Sequence, residues 1–448
     1  MVERSSRAVA PAVAVFICGL CAQPVPGAIF LVYNSADQID VDPGDGVCDA
    51  DPSPPGITCT LRAAIMEANA LAGADVIRLN PGTYNLSLAE TGSDSGGDLD
   101  VTETVVLENT GVAPTIDALS NFRIFETNAS DVSLTVRGAV LRNGSADFGG
   151  CIRSGGDLVL ERVEIAGCVS SSSGGGVFVI NGALTVRDAW IHGNHAGPAT
   201  SPGGGIHFIK NLSTPERALL ERVTLEGNTA FRGGAISAAG EVVVVNATLR
   251  GNSATGVGGA IWATDTGRLS NVTMVANVCD TNNDGDSGGG IYKSTAGAWL
   301  IENSVLARNS CGTSSPVWQD CDGVFDSGGY NLIGFGAACT GFSAAGDDVG
   351  SGPASIDPLL ATLAMTGGWA PTHLPLAGSP MLQAGDPGGC LADRDGSGPG
   401  VAVALTNDQR NAARPANGVC ERGAVEVGPF FLDGFESQST SRWSSAVS

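Results

Sequence analysis

The chain has 448 residues, of which 64 are glycine, 43% are hydrophobic and 5% are aromatic. The glycines follow no Gly-X-Y period, which excludes collagen, and the apolar content excludes a disordered chain. The formal net charge of −23 excludes nucleic acid and anionic membranes as expected partners, because both are bound by clusters of Lys and Arg.

The N-terminus has the pattern of an export signal. Two arginines precede an apolar run over residues 8–20, which is too short for a permanent membrane anchor. Val25, Gly27 and Ala28 offer small residues for cleavage, and we take residues 1–28 as the signal peptide. No later segment resembles a transmembrane span. The sequence therefore predicts an exported chain.

One amphipathic helix is predicted, in the stretch CTLRAAIMEANALAG. Thr60 can cap its N-terminus and Gly73 can end it. Its apolar face comprises Leu61, Ala64, Ile65, Ala68 and Leu71. We expect this helix to cover one end of the repeat that follows, because an open solenoid end exposes core and strand edges.

A repeat of 25 to 30 residues dominates the middle of the chain, and each unit begins at a pair of glycines. Aligning the pairs gives three aliphatic columns. The first is Ile152, Val177, Ile206, Ile236, Ile261 and Ile291. The second is Leu141, Ile165, Ile191, Leu225, Leu249, Met274 and Leu306. The third is Val136, Leu160, Val186, Leu220, Val244, Leu269 and Ile301.

This repeat predicts an all-β fold, a right-handed parallel β-helix. Apolar and polar residues alternate within each unit, as in LTVRDAWI, which is typical of strands. Each lap of the chain would return about 4.8 Å along the axis, so that equivalent aliphatic residues stack in the core. Each such residue contributes roughly 1.5–3 kcal/mol when it is buried.

A column of turn residues supports the same register. It consists of Gly144, Cys168, Asn194, Asn228, Asn252, Asn277 and Asn309. Asparagine tolerates left-handed backbone and can bond neighbouring backbone groups. We therefore expect a structural ladder of stacked amides.

Ten of the twelve cysteines follow the signal peptide, and an even number in an exported chain predicts disulfides. Cys279 and Cys311 occupy the same position in adjacent coils, at a spacing that a disulfide can bridge. Cys48 with Cys59 and Cys390 with Cys420 are predicted from their proximity in the sequence. The pairing of the four others is left open, with Cys151–Cys168 and Cys321–Cys339 as candidates.

The loop DTNNDGDSGGG is a candidate calcium site. Asp280, Asn282, Asp284 and Asp286 fall at positions one, three, five and seven of an EF-hand-like loop, with glycine at position six. Position twelve is Ile291 rather than glutamate, and no flanking helices are expected. A solvated acidic insertion is the alternative interpretation.

A candidate ligand-binding row follows the first aliphatic column on the outer face. It reads Arg153, Phe178, His207, Ser237, Trp262 and Tyr292. The aromatic members Phe178, His207, Trp262 and Tyr292 can stack on sugar rings or peptides, and exposed apolar patches often mark recognition sites. The alternative is that a long turn of the chain or the C-terminal region covers this row.

Several motifs also resemble known families. Residues 43–86 resemble the CSLREA domain of exported bacterial proteins, with Thr60 and Ala63 where the name-giving motif has Ser and Glu. GGYNLIG, THLPLAGSPMLQAGD and DQRNAARPANGVCERGAVE are similar to the choice-of-anchor Q region. FFLDGFESQSTSRWS resembles a terminal motif of exported gammaproteobacterial proteins. These resemblances imply a β-helix of the pectin-lyase-like or polymorphic outer-membrane-protein type.

The resemblance implies export from a Gram-negative bacterium and no defined reaction. From the repeat and these resemblances we expect four regions after the signal peptide. Residues 29–130 form the N-terminal cap and first coils, 131–320 the regular β-helix, 321–428 an irregular C-terminal cap, and 429–448 a flexible tail.

The outer rows lack a catalytic constellation. Glycoside hydrolysis needs two carboxylates about 5–9.5 Å apart, and lyases of this fold gather acids around calcium beside a basic residue. The aromatic row contains no acid, and the second outer row has one. That row is Val140, Glu164, Trp190, Thr224, Thr248, Thr273 and Val305. His192, His195 and His207 are expected to be ordinary histidines rather than a metal site.

The sequence therefore favours a non-catalytic β-helix at the cell surface or released, which acts as an adhesion or binding scaffold. Glycans or a host or neighbouring cell surface are the expected partners. A polysaccharide lyase or glycoside hydrolase and a purely structural coat component are the alternatives.

Overall fold

The computed structural model describes residues 27–50, 58–89, 96–197, 200–211, 216–294, 297–313, 317–392, 403–415 and 419–427. Within these ranges the chain is a parallel β-helix with one α-helix, Leu61–Ala70, as the sequence predicts. Three sheets run along its axis, and we call them the long sheet, the ten-stranded sheet and the eight-stranded sheet.

The long sheet contains eighteen strands. They are Ile29–Val32, Asp75–Leu79, Thr83–Asn85, Val105–Asn109, Thr115–Asp117, Leu134–Arg137, Val140–Arg142, Leu158–Glu161, Glu164–Ala166, Leu184–His192, Arg217–Glu226, Glu241–Arg250, Gly267–Val275, Trp299–Glu302, Val305–Ala307, Asp326–Gly329, Leu332–Ile333 and Asp348–Val349.

Two shorter sheets close each coil. The ten-stranded sheet contains Leu99–Asp100, Phe125–Thr127, Ile152–Ser154, Val177–Ile180, Ile206–Ile209, Ile236–Ala239, Ile261–Ala263, Ile291–Lys293, Cys321–Val324 and Cys339–Thr340. The eight-stranded sheet contains Ser145–Phe148, Val169–Ser173, His195–Ala196, Thr229–Ala230, Ser253–Ala254, Val278–Cys279, Ser310–Cys311 and Val317–Trp318. A separate antiparallel pair is Leu391–Ala392 with Val403–Ala404.

The three predicted aliphatic columns are confirmed. In the ten-stranded sheet Ile206 pairs with Ile236, and Ile236 pairs with Ile261. Every member of all three columns is fully buried, and together they line one continuous core. The register of the whole β-helix therefore follows from the repetition of these residues.

The glycine pairs lie where successive coils approach most closely. Gly233 has a φ of +61°, and a Cβ there would lie 2.1 Å from the carbonyl oxygen of Ile236. A Cβ on Gly234 would lie 2.4 Å from the carbonyl oxygen of Gly259 in the next coil. A side chain at Gly233 would clash within its own turn, and a side chain at Gly234 would separate the coils, which explains why the pair recurs.

The asparagine column forms the predicted ladder. The Oδ1 atom of Asn252 accepts hydrogen bonds from the backbone N–H and the side-chain amide of Asn228, both at 3.0 Å. The Nδ2 group of Asn252 donates to Asn277 at 2.9 Å and to the carbonyl of Leu225 at 3.0 Å. The same pattern repeats from Asn194 to Asn309. The ladder satisfies buried backbone groups at the corner that each coil turns.

The predicted helix covers the N-terminal end of the core. Thr60 is its N-cap, and its side chain accepts a hydrogen bond from the N–H of Ala63 at 3.1 Å. Arg62 points to the other side and forms a buried ion pair with Asp37 at 2.7 Å. Glu67 accepts hydrogen bonds from the N–H groups of Gly44 and Gly46. The helix is thus held by apolar packing on one face and by the ion pair of Arg62 and the hydrogen bonds of Glu67 on the other.

Residues 357–392, 403–415 and 419–427, which we call the C-terminal block, lie along the outer face of the long sheet. Pro371 accepts a hydrogen bond from the hydroxyl of Thr224 at 2.7 Å. Gln409 bonds Thr224 and Thr248 at 2.7 and 2.6 Å, and Ala424 donates to Thr273 at 3.0 Å. These threonines point away from the core, as predicted, but the block buries them.

Apolar and ionic contacts also hold the block. Leu219, Val243 and Val245 on the outer face pack in one cluster with residues of the block. Arg414 forms an ion pair with Glu426 at 2.7 Å in which both side chains are buried, and it also bonds Asn246 of the long sheet. The block therefore removes much of this face from solvent.

We expect Asn252→Ala to destabilise the protein by about 3 kcal/mol, because it leaves the buried N–H groups of Asn228 without an acceptor. Urea unfolding monitored by circular dichroism measures the change. Asn121→Ala, at an exposed position, is the control and should change stability by less than about 0.5 kcal/mol. Equal effects of the two variants would contradict a stabilising ladder.

Candidate functional site

The predicted aromatic row is aligned as expected but only partly accessible. Phe178 pairs with His207, and Trp262 pairs with Tyr292, across adjacent coils of the ten-stranded sheet. Phe178 and His207 stack with ring centroids 5.5 Å apart and are only 5% and 6% exposed. The Nδ1 atom of His207 lies 3.0 Å from the hydroxyl oxygen of Ser237, and burial lowers the pKa of His207 to about 4.

The structure therefore leaves Trp262 and Tyr292 as the partly exposed rings of this row. Phe178 and His207 cannot offer their ring faces to a ligand, because neighbouring rings already cover them. An outward-pointing side chain in a solenoid is exposed only if the coils on both sides leave room. Ligand binding by this row stays a prediction for Trp262 and Tyr292.

The same row extends to acidic residues at its N-terminal end, which the sequence analysis missed. Arg153 pairs with Glu126, and Glu126 pairs with Asp100, in consecutive strands of the ten-stranded sheet. Oxygens of Asp98, Asp100 and Glu126 lie within 4.8 Å of one another. Acids and arginines thus lie side by side, which is the composition that lyase chemistry needs.

Two of these acids, Asp98 and Glu126, form ion pairs with arginines. Arg123 contacts Asp98 at 2.7 Å and Asp147 at 3.0 Å, and it also pairs with Glu126. Arg153 pairs with Glu126 as well. Arg123 is buried and donates further hydrogen bonds to backbone carbonyls. Its guanidinium therefore joins coils rather than serving as a free base.

The structure places the four predicted calcium ligands close together. Oxygens of Asp280, Asp284 and Asp286 lie within 4.8 Å of one another. Asp280 accepts the N–H of Asp284 at 2.7 Å, which folds the loop around its carboxylate. Asn282 lies beside this group, because its side-chain amide donates to Asp284 at 2.7 Å. Calcium binding itself stays a prediction.

The loop lies close to the aromatic row. Burial raises the pKa of Asp286, and the negative charges of Asp284 and Asp280 add to the rise, whereas Arg232 opposes it. The guanidinium of Arg232 also lies 5.3 Å from the centre of the Trp262 ring. The two predicted features are therefore linked through one arginine.

A groove runs along the last coils on the other side of this loop, and we call it the terminal groove. It consists of three depressions of about 720, 510 and 340 Å³ that share lining residues. The first is lined by Asp280, Asp286 and Trp318. Trp318 also lines the second together with Arg308. Arg308 also lines the third, beside the C-terminal block.

Trp318 is the most accessible aromatic group of the groove, with 53% of its surface exposed. Its strand pairs antiparallel with Ser310–Cys311, whereas the other strands of this sheet pair in parallel. On one side Arg308 forms an ion pair with Asp357 at 2.6 Å, and both side chains are about half exposed. The acidic loop lies on the other side. In the sequence, Trp318 could have been noticed as an isolated tryptophan between Cys311 and Cys321.

A buried carboxylate, Asp320, lies between the groove and the end of the asparagine ladder. Its Oδ1 atom accepts the backbone N–H and the side-chain amide of Asn309, both at 2.8 Å. Its Oδ2 atom accepts the N–H of Phe335 at 2.6 Å. Burial raises the pKa of Asp320 to about 7, although these N–H groups oppose the rise.

The three histidines considered as metal ligands lie in three different sheets. His192 is in the long sheet and contacts Glu164 at 3.0 Å. His195 is in the eight-stranded sheet and contacts Thr229 at 2.6 Å. His207 is in the ten-stranded sheet. The fold therefore separates them.

Five disulfides cross-link the described residues, and they have the pairings that the sequence suggested. They are Cys48–Cys59, Cys151–Cys168, Cys279–Cys311, Cys321–Cys339 and Cys390–Cys420. The Cα atoms of Cys279 and Cys311, in adjacent strands, are 4.5 Å apart. Such disulfides are typical of proteins that fold in an oxidising compartment. In the described part of the chain no helix has the length and apolarity to cross a bilayer.

No protein-family model and no curated protein matches the sequence. The structure is similar to the crystal structure of the pectate lyase Pel9A, with 12% sequence identity and a TM-score of 0.44. The similarity covers 90% of this chain and 97% of that chain. Membership of the CSLREA and choice-of-anchor families stays a prediction.

We expect calcium to raise the Tm of the protein and Asp286→Asn to abolish the increase. At a calcium concentration 100 times the Kd, binding stabilises the folded chain by about 2.7 kcal/mol. In chelator the variant should be at least as stable as the parent, because it removes repulsion among three acids. Asp322→Asn, on a neighbouring coil, is the control. An equal calcium effect in the parent and Asp286→Asn would contradict this site.

We expect the contribution of Asp320 to the free energy of unfolding to fall as the pH rises from about 4 to about 7, whereas the contribution of buried His207, whose pKa is lowered, rises over the same range. In this range folded Asp320 retains a proton that the unfolded chain has released, so stability is greatest below the unfolded pKa. Burial raises the pKa of Glu421 to about 7 as well, which contributes with the same sign. Asp320→Asn should make the slope of the unfolding free energy against pH more positive than in the parent, as measured by urea unfolding across this range. An unchanged slope would show that Asp320 titrates normally.

Proposed function

We propose that this protein is an exported, non-catalytic scaffold that binds glycans in the terminal groove. The exposed ring of Trp318 carries the proposal, because sugar rings present apolar C–H faces that stack on aromatic side chains. Carboxylates and a guanidinium flank that ring, and they are partners for sugar hydroxyls. A concave surface with an apolar platform and a few polar groups is typical of small-ligand sites.

In the described part of the chain, the groove places an exposed tryptophan beside carboxylates and a guanidinium. The C-terminal block buries the outer threonines of the long sheet. Phe178 and His207 cover each other in the ten-stranded sheet. The acids near Glu126 are bound by arginines. Trp262 and Tyr292 lie across the acidic loop from the groove and are the second candidate contact.

A polysaccharide lyase is the second candidate function. The observation in its favour is the group of Asp98, Asp100 and Glu126 beside two arginines. The ion pairs described above argue against it, because a lyase base must be free to take a proton from the substrate. A purely structural coat component would bind no glycan at all.

A glycan array, run with calcium and with chelator, tests the proposal. We expect Trp318→Ala to weaken binding about tenfold, which corresponds to ~1.4 kcal/mol. Trp369→Ala is the matched control, because Trp369 is similarly exposed at 47% but lies on the C-terminal block beside Arg162. This control should bind as the parent does.

The other outcomes identify the alternatives. Loss of binding in the double variant Trp262→Ala, Tyr292→Ala but not in Trp318→Ala would move the site to the aromatic row. Unsaturated or shortened products in mass spectra of the incubated glycans would indicate a lyase or hydrolase. An absence of binding by the parent protein would overturn the proposal in favour of a structural coat.

A further inference from the structure

Asp75 is a buried carboxylate that the fold leaves half satisfied. It begins the strand Asp75–Leu79 of the long sheet, and none of its surface is exposed. Its Oδ1 atom accepts the backbone N–H of Ala28 at 2.6 Å. Its Oδ2 atom is buried and has no hydrogen-bond partner. A buried charge without full pairing is costly, so this arrangement needs a physical reason.

Ala28 is held in place by the same strand. Its carbonyl accepts the N–H of Val76 at 2.9 Å, and the next residue begins the first strand of the long sheet. Gly27 lies directly against the neighbouring backbone, where a Cβ would be 1.7 Å from the carbonyl oxygen of Ala74. The nitrogen of Ala28 is therefore fixed beside the Asp75 carboxylate.

The bond before Ala28 is also a suitable cleavage site, one residue earlier than the end of the signal peptide taken from the sequence. Cleavage after Gly27 places small side chains at the two positions that signal peptidase sites require, Gly27 itself and Val25 two residues earlier. It would also convert the nitrogen of Ala28 from an amide, with one N–H, into an ammonium group with three. The extra N–H groups and the positive charge are what the unpaired Oδ2 atom lacks.

We propose that the chain is processed between Gly27 and Ala28 and that the new ammonium group of Ala28 forms a buried ion pair with Asp75. In the cleavage, water adds its oxygen to the Gly27 carbonyl carbon and the C–N bond breaks. Gly27 leaves as a carboxylate, and the nitrogen of Ala28 takes up protons to become an ammonium. The peptidase of the export pathway carries out this step. The proposal rests on export and is independent of glycan binding.

This pair would connect export to folding. Cleavage one residue later, after Ala28, would remove the nitrogen that Asp75 binds and leave both carboxylate oxygens without it. In the described residues Ala28 supplies the one hydrogen bond to this side chain. A precursor would retain a neutral amide there, so the processed chain gains an interaction that the precursor lacks.

The first test is the N-terminal sequence and intact mass of the full-length protein after export. We expect the mature chain to begin at Ala28. A chain that begins at Ile29, or at any residue before Ala28, would overturn the assignment of the bond.

The second test separates the ion pair from the cleavage site. Two chains, residues 28–448 and residues 27–448, are each prepared with Asp75 and with Asp75→Asn, and their Tm values are compared. We expect the chain that begins at Ala28 to have the higher Tm, and Asp75→Asn to lower its Tm by more than that of the longer chain. Equal effects of the substitution in both chains would overturn the ion pair.

A pH series keeps the test decisive if the Asp75→Asn chains fail to fold. The ion pair raises the pKa of the Ala28 amine above its unfolded value of about 7.7–8.0, so its stabilisation is complete below that pH. The Tm advantage of the chain that begins at Ala28 should disappear as the pH rises through the folded pKa. A difference between the two chains that stays constant up to pH 11 would overturn the proposal.

Discussion

The structure depends on the parallel stacking of each coil on the next, at about 4.8 Å. This spacing makes the side chain at a given position contact its counterparts above and below, so each column must hold one kind of residue. Ile206, Ile236 and Ile261 satisfy the condition in the core. Asn228, Asn252 and Asn277 satisfy it at the corner, where each amide both accepts and donates. The glycine pairs provide the room for this close approach.

The repeating part of the fold could be predicted because one constraint recurs in every coil. The columns, the amide ladder and the Cys279–Cys311 disulfide all follow from register. The C-terminal block could not be predicted in the same way. Gln409 bonds Thr224 across 185 residues of chain, and neither residue belongs to a pattern that identifies the other. Such contacts depend on the tertiary path rather than on local periodicity.

The repeat also does not predict which outward-pointing side chains are exposed to solvent. Alternation correctly indicates that Phe178 and His207 point away from the core, yet each ring covers the other because adjacent coils are close. The acids near Glu126 were missed because no glycine pair precedes the strand of Glu126, so the first aligned column began at Ile152. Trp318 was missed because its antiparallel strand ends the parallel repeat. Each of these errors concerns the outer surface. There a column predicts which way a side chain points, but not whether other residues cover it.

The points at which stacking stops explain where unusual polar groups occur. Inside the ladder each asparagine has an asparagine in the coil before it and in the coil after it. Its amide suits the position because its oxygen accepts from one neighbour and its NH2 group donates to the other. Beyond Asn309 the acceptor is Asp320, whose second oxygen receives the N–H of Phe335. An asparagine at this position has one acceptor oxygen. It could accept the N–H groups of Asn309 or the N–H of Phe335, and the other donor would face its NH2 group without an acceptor. At the other end of the β-helix, Asp75 lies beside the start of the first strand, Ile29–Val32, and accepts the N–H of Ala28. Carboxylates at both ends thus accept donors that the repeat no longer pairs, and at the C-terminal end this carboxylate also forms part of the terminal groove.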